Sequence, residues 1–407
     1  MNHPQIGSAL LRSDALALDE LMAIGSLIRS SLDTTASDSP LRSVLLKGKE
    51  VRRSQLLDQL PTRRLAELCS CGLLVESGQR IFSPFRAHLL EGLVIVTDPE
   101  SGGKSRSPWY LDPLCEGPQL ARLLIRKAVS RGLDMGCGCG VLSLVMSSFC
   151  EHVIGVDINP RAIEFSRFNA ALNGIANVAF MESDLFNSVR GQEFDLIAFN
   201  SPTNREGCQY RDLLESGESL LARFFSDLAN HLTPEGYGQV NLAMNDYQES
   251  AFTERLTTWI RAGERDLRAV TMVCKREKRI DAGIWKRGWA TLCRGKPFLS
   301  EVDWPYHLIT STPSPLELSQ LVLRLLENHE MLNSRRHLPQ LTWSEGLCCV
   351  LPGKQTIGLW NVPLAEVSDE IALLSSTSPL SFPAAKHLDF WIELYLRKGL
   401  LGVRSDT

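Results

Sequence analysis

At 407 residues, with 44% apolar and 22% charged side chains, the chain has the make-up of a globular protein long enough for two or three domains. A net charge of −4 and a pI near 6.1 exclude a broad basic surface selecting nucleic acid or an anionic membrane, and no apolar run approaches the ~18 residues of a membrane span. Its eleven cysteines are scattered, without C-x-x-C pairs or an accompanying His cluster, and no signal-peptide pattern follows Met1; this points to free thiols in a reducing cytoplasm and to no metal site.

The first predicted element is a helix or helical pair over residues 8–32, from apolar positions such as Leu10, Leu21, Ile24 and Ile28. A polar linker, Asp33 to Pro40, closes this N-terminal segment (1–40). Between Leu41 and Asp98 the pattern predicts helices over 54–60 and 62–69, then a hairpin of 72–76 with 80–82, the outline of a winged-helix unit within a segment 41–107. The candidate recognition helix carries only Arg63 and Arg64, which favours a substrate-covering role over DNA binding. A strand over 92–97 and a Ser/Gly/Lys-rich loop over 98–108 lead to a helix over 118–129.

Strands and helices then alternate. Strands are predicted at 132–135, 152–156, 178–181, 196–199 and 239–243, with helices at 141–149, 160–173, 219–231 and 247–262, and final strands at 269–274 and 288–293. This rhythm predicts an α/β fold with a doubly wound, mainly parallel Rossmann-like sheet over 108–296, an antiparallel edge, and a small α+β domain over 297–407 containing helices at 316–332 and 387–398.

Four strand ends carry the chemistry. After the first strand comes Asp134-Met135-Gly136-Cys137-Gly138-Cys139-Gly140, whose glycines let the backbone turn tightly and approach a ligand. Val141 stands where a dinucleotide fingerprint needs glycine, so the loop is G-x-G-x-G preceded by an acid. Asp157, 23 residues after Asp134, ends the second strand ahead of Ile158 and Asn159, where a carboxylate can accept from two ribose hydroxyls. Asp184 with Leu185 follows the third strand, suited to an adenine amino group and one ring face. Asn200-Ser201-Pro202 ends the fourth, with Tyr210 beyond it. Cys137 and Cys139 read as small side chains of a tight turn rather than redox groups.

From Tyr110 to Arg294 these motifs resemble the class I S-adenosylmethionine-dependent methyltransferases, in particular the small-domain RNA methyltransferases and the release-factor glutamine methyltransferases. The resemblance implies that Asp134, Gly136, Cys137, Gly138 and Gly140 hold the methionine part of S-adenosylmethionine. It places Asp157 on the ribose, Ile158 against the adenine, Asn159 among the cofactor-binding residues, Asp184 and Leu185 on the adenine edge, and Tyr110 in a lid over the amino-acid end. Asn200-Ser201-Pro202-Thr203 is similar to the Asn-Pro-Pro-aromatic loop that orients a substrate NH₂ toward the sulfonium methyl, so that catalysis is mostly positioning. Ser201 replaces its first proline and Thr203 its aromatic residue, which removes the stacking partner of a glutamine amide or a nucleobase; Tyr210 is a candidate replacement.

The expectation is therefore a methyltransferase acting on a nitrogen nucleophile of a small amino-acid-like molecule or a protein side chain. Asn200, Ser201, Pro202 and Tyr210 would serve catalysis, Asn200 would also border the cofactor, and no nucleic acid, membrane or metal is involved. A second use of the same cofactor is intramolecular attack of its amino group on its own γ-carbon, giving azetidine-2-carboxylic acid and methylthioadenosine.

Overall fold

The structure is a computed structural model. It describes residues 11–33, 39–99, 117–202, 217–246, 251–263, 265–279, 283–295, 298–303, 342–344, 348–350 and 356–358. These fall into two compact units, Met1–Ala121 with Lys127–Asn241, and Arg122–Arg126 with Leu242–Thr407.

The first unit opens with α1 (Leu18–Asp33), shorter than the predicted 8–32 because its apolar stripe of Leu21, Ile24 and Ile28 starts one turn in. Next come α2 (Pro40–Leu45), β1 (Val51–Arg52), α3 (Arg53–Leu57), α4 (Thr62–Ser70), β2 (Val75–Ser77) and β3 (Arg80–Phe82). β1, β3 and β2 form a small antiparallel sheet in that order. Arg63 and Arg64 of α4 are both paired with carboxylates: Arg63 with Glu20 at 2.9 Å and Glu67 at 2.8 Å, Arg64 with Glu67. A hairpin of β4 (Arg86–Leu90) and β5 (Leu93–Thr97) closes this region.

The main sheet of the unit holds five parallel strands. In spatial order they are β8 (Val178–Glu182), β7 (Cys150–Asp157), β6 (Val129–Met135), β9 (Phe194–Asn200) and β10 (Leu232–Asp246), the last pairing with β9 as far as Asn241. Gly132 to Met135 and Leu196 to Phe199 are buried without interruption, as strands covered on both faces must be. The helices are α5 (Gly117–Leu123), α6 (Val141–Met146), α7 (Pro160–Asn173) and α8 (Gly217–His231). The helix predicted over 118–129 ends at Leu123, since Val129 already belongs to β6 and pairs with Cys150.

One apolar core runs from Leu11 through α1, α4, β5 and α7 to Phe180, so the segments read from sequence as 1–40 and 41–107 share a core with the glycine loop. Leu21, Ile24 and Ile28 each contribute about 1.5–3 kcal/mol by burial. α1 approaches α7 so closely that a Cβ on Gly25 would lie 1.8 Å from the carbonyl oxygen of Leu172.

The second unit contains α9 (Phe252–Arg261), within the predicted 247–262, of which 247–250 lie outside the described residues, and β11 (Leu267–Arg279) antiparallel to β12 (Gly283–Arg294). β11 also pairs in parallel with β13 (Phe298–Asp303), which carries this sheet past the boundary placed at 297. Three short strands, Thr342–Ser344, Cys348–Val350 and Thr356–Gly358, form an antiparallel sheet. The helices predicted at 316–332 and 387–398 lie outside the described residues.

Candidate active site

Because β6 to β10 are parallel, their carboxyl ends share one edge of the sheet. That edge gathers Asp134, the glycine loop, Asp157 to Asn159, Asp184, Leu185 and Asn200 to Pro202. Tyr110 and Tyr210 lie outside the described residues.

The loop turns through left-handed backbone at Gly136, Gly138 and Gly140, with φ of 63°, 57° and 84°. A Cβ on Gly138 would meet nothing within 4 Å, so the loop backbone there faces open space. Asp134, 1% exposed, caps the start of α6: its Oδ2 accepts from the Ser143 amide at 2.8 Å and the Ser143 hydroxyl at 2.6 Å. Its Oδ1 is buried and has no hydrogen-bond partner among the described residues. Burial pushes this carboxyl up to about 7, against the pull of the two Ser143 bonds. From behind, α7 holds the loop: the Ser166 hydroxyl donates to Gly138 O at 2.9 Å, and Asn169 Nδ2 to Cys139 O at 2.8 Å.

Asp157 bridges strand and loop. Its Oδ2 accepts from the Gly138 amide and its Oδ1 from the Asn159 amide, both at 2.9 Å. The Ile158 amide also bears on this carboxyl, and its two oxygens, with about four acceptor sites between them, keep capacity for a hydroxyl donor. Burial pushes this carboxyl up as well. Asn159 serves the helix: its side chain caps α7 by accepting from the Arg161 amide at 2.9 Å. Asp184 is partly exposed and pairs with Arg223 of α8 at 2.7 Å. Beside it Leu185 takes φ 49°, a conformation unfavourable for a γ-branched side chain, held by the Ser183 hydroxyl donating to Leu185 O at 2.7 Å.

At the end of β9 the network is neutral. Asn200 is in register with Asn241 of β10, whose Nδ2 donates to Asn200 Oδ1 at 2.7 Å. Ser201, 2% exposed, donates from its hydroxyl to Asn241 O at 2.7 Å. The serine in place of proline thus locks the loop to β10 through a bond that proline could not make. The Phe199 ring lies 3.4 Å from where a Gly136 Cβ would stand, so the β9 end packs directly under the glycine loop.

Asn241, Ser143, Ser166 and Asn169 escaped sequence reasoning, since each acts through a partner far along the chain. So did Asp98 and Arg161, a buried ion pair with bonds of 2.5 and 2.6 Å at the end of β5. Cys137 and Cys139 are buried thiols; burial beside the aspartates pushes Cys137 well above its ordinary value and Cys139 up to about 12, so neither is a thiolate. Among the described residues no cluster of three or more His, Cys, Asp and Glu could hold a metal.

The donor set fits a ligand carrying a cation and vicinal hydroxyls. Two carboxylates flank a glycine cradle open at Gly138, and a buried Oδ1 of Asp134 is left for a donor. S-adenosylmethionine has an ammonium, a sulfonium and a ribose diol.

Residues 118–259 match the sequence model of the methyltransferase small domain family. A putative protein N5-glutamine methyltransferase of Methanocaldococcus jannaschii is 35% identical over 118 residues, covering 26% of this chain and 59% of that one. The ribosomal protein uL3 glutamine methyltransferase of Xanthomonas campestris is 31% identical over 125 residues, covering 27% and 41%. The chain thus spans about two fifths to three fifths of these curated relatives. Among solved structures, TYW2 of M. jannaschii in complex with AdoMet aligns with a TM-score of 0.34 at 16% identity, covering 52% of this chain and 87% of that one.

Proposed function

We propose that this chain, which carries a methyltransferase small domain at residues 118–259, is an S-adenosylmethionine-dependent methyltransferase whose acceptor is a protein side-chain nitrogen, with the carboxamide of glutamine as the first candidate. The observation that carries the proposal is the Asn200 carboxamide, anchored by Asn241 at the end of β9, the strand that pairs with β6 where β6 opens into the glycine loop.

Bound there, S-adenosylmethionine supplies an electrophilic methyl on a sulfonium. Asp134 and Asp157 favour the ligand's positive charge, and Asp157 can accept from the ribose diol while holding the Gly138 and Asn159 amides. Asn200 Oδ1, with one lone pair engaged by Asn241, accepts an N–H of the acceptor and turns the nitrogen lone pair toward the methyl. The acceptor's proton leaves to water, so this set needs no strong base. The pairing of Arg63 and Arg64 with carboxylates supports a protein acceptor over a nucleic acid. The relatives named above are methyltransferases, and nothing in them supports the cyclisation to azetidine-2-carboxylic acid.

The test is incubation of purified chain with methyl-labelled S-adenosylmethionine and stripped ribosomal proteins, followed by peptide mass spectrometry. Label on a glutamine side-chain nitrogen, absent with Asn200→Ala, is expected. Methylthioadenosine accumulating without methylated product would sink the proposal.

A further inference from the structure

Helix α7 faces strand β5 with a ridge of residues four apart, Arg161, Phe165, Asn169 and Asn173, and three of them bond to alternate positions of the β5 segment. Asn173 Oδ1 accepts from the Val94 amide at 2.9 Å and its Nδ2 donates to Val94 O at 2.8 Å. Asn169 repeats this on Val96, at 2.9 and 3.0 Å. Arg161 ends the series on Asp98, with its guanidinium over the Phe165 ring at 4.5 Å. The other edge of β5 pairs with β4, so these side-chain amides stand where a neighbouring strand's backbone would otherwise satisfy buried N–H and C=O groups.

The two asparagines differ in their further partners: Asn173 Oδ1 also accepts from Arg29 Nη2 of α1 at 3.1 Å. Asn173 sends its remaining Nδ2 hydrogen to Asn169 O at 2.7 Å, inside its own helix. Asn169 sends its to Cys139 O, in the glycine loop, at 2.8 Å. Its single buried amide group therefore joins β5 of the N-terminal region to the loop that opens on the candidate cofactor site.

We propose that Asn169 is a positioning residue that couples the seating of β5 to the shape of the glycine loop, which makes the N-terminal region part of the cofactor site. The proposal rests on the cofactor reading above and adds a linkage to it: a ligand that orders the loop tightens β5, and loosening β5 weakens the ligand by the same factor.

Asn173→Ala is the control, since it removes the matching pair of bonds to β5, and the Arg29 bond with them, without touching the loop. S-adenosylhomocysteine binding to the full chain is measured by calorimetry, beside thermal melting, for wild type, Asn169→Ala and Asn173→Ala. Both variants should melt earlier. Asn169→Ala should raise Kd about tenfold, the scale of one buried hydrogen bond, while Asn173→Ala stays within about twofold. Equal Kd for the two variants overturns the coupling; a wild type that does not bind overturns the cofactor reading and the coupling with it. Should Asn169→Ala fail to fold, amide exchange of the wild type decides. Ligand should slow the Val96 amide together with the loop amides, and slowing of the loop alone overturns the proposal.

Discussion

The two ends of this active edge are built from opposite materials. At the glycine loop the organising groups are two carboxylates, Asp134 and Asp157, pressed against backbone amides and pushed up by burial. At the end of β9 they are a carboxamide and a hydroxyl, Asn200 and Ser201, tied to one asparagine of the next strand. Buried charge without a cation is destabilising, so the first end is tense until a cation arrives, whereas the second is satisfied beforehand. The first end is suited to binding and the second to orientation.

If that division holds, Asn200→Ala should cut turnover by about 10²–10³-fold, the usual loss for a preorganised polar contact to the reacting group, while S-adenosylhomocysteine affinity stays put. Adding Asn241→Ala to that variant should cost little more, because Asn241 acts through Asn200; steady-state rates of the double-mutant set check this. Asp157→Ala should do the reverse. Removing an acceptor for two amides and a diol should weaken S-adenosylhomocysteine on the order of 100-fold by calorimetry, and unchanged affinity would remove Asp157 from the site.

A pH series sharpens the comparison at smaller amplitude. Asp134 is raised in the folded chain from an ordinary 3.8 to about 7. Its contribution to stability is therefore present below pH 4 and is lost as the pH climbs through 7, where the buried carboxylate ionises. Asp134→Asn should accordingly match or exceed the wild type in melting temperature at pH 8. S-adenosylhomocysteine, whose ammonium favours the ionised acid, should bind the wild type more tightly at pH 8 than at pH 6, and the variant should show no such slope. The smallest effect belongs to Asp184, whose pairing with Arg223 is exposed. Arg223→Ala should change stability by under about 1 kcal/mol in denaturant titration, the range of surface ion pairs.

Much of this arrangement was legible along the chain. α7 starts at Pro160 and ends at Asn173 as its pattern predicts, because an Asx cap and a proline fix its start and the burial of both faces leaves no competing strand. The strands that end near Asp134, Asp157 and Asn200, and the glycine turn after Met135, followed from apolar runs that stop at an acid, a glycine or an asparagine. β4 was missed because Arg86 to Leu90 lacks an uninterrupted apolar run and gains its place only by pairing with β5. Asn241 and Asn169 were missed for a deeper reason: an asparagine in a strand or helix has no local signature, and the atoms these two hold lie 41 and 30 residues away along the chain.

The contact of Gly25 with Leu172 has a genetic consequence. No residue but glycine fits between the two helices, so even the mildest replacement, alanine, acts as a wedge on the end of α7 that carries Asn173 and, one turn earlier, Asn169. A lesion remote from every reacting atom would thus produce a temperature-sensitive enzyme whose ligand affinity fades before its fold does. A shortened side chain on the facing helix could not rescue it, because the obstructing atom is a backbone oxygen.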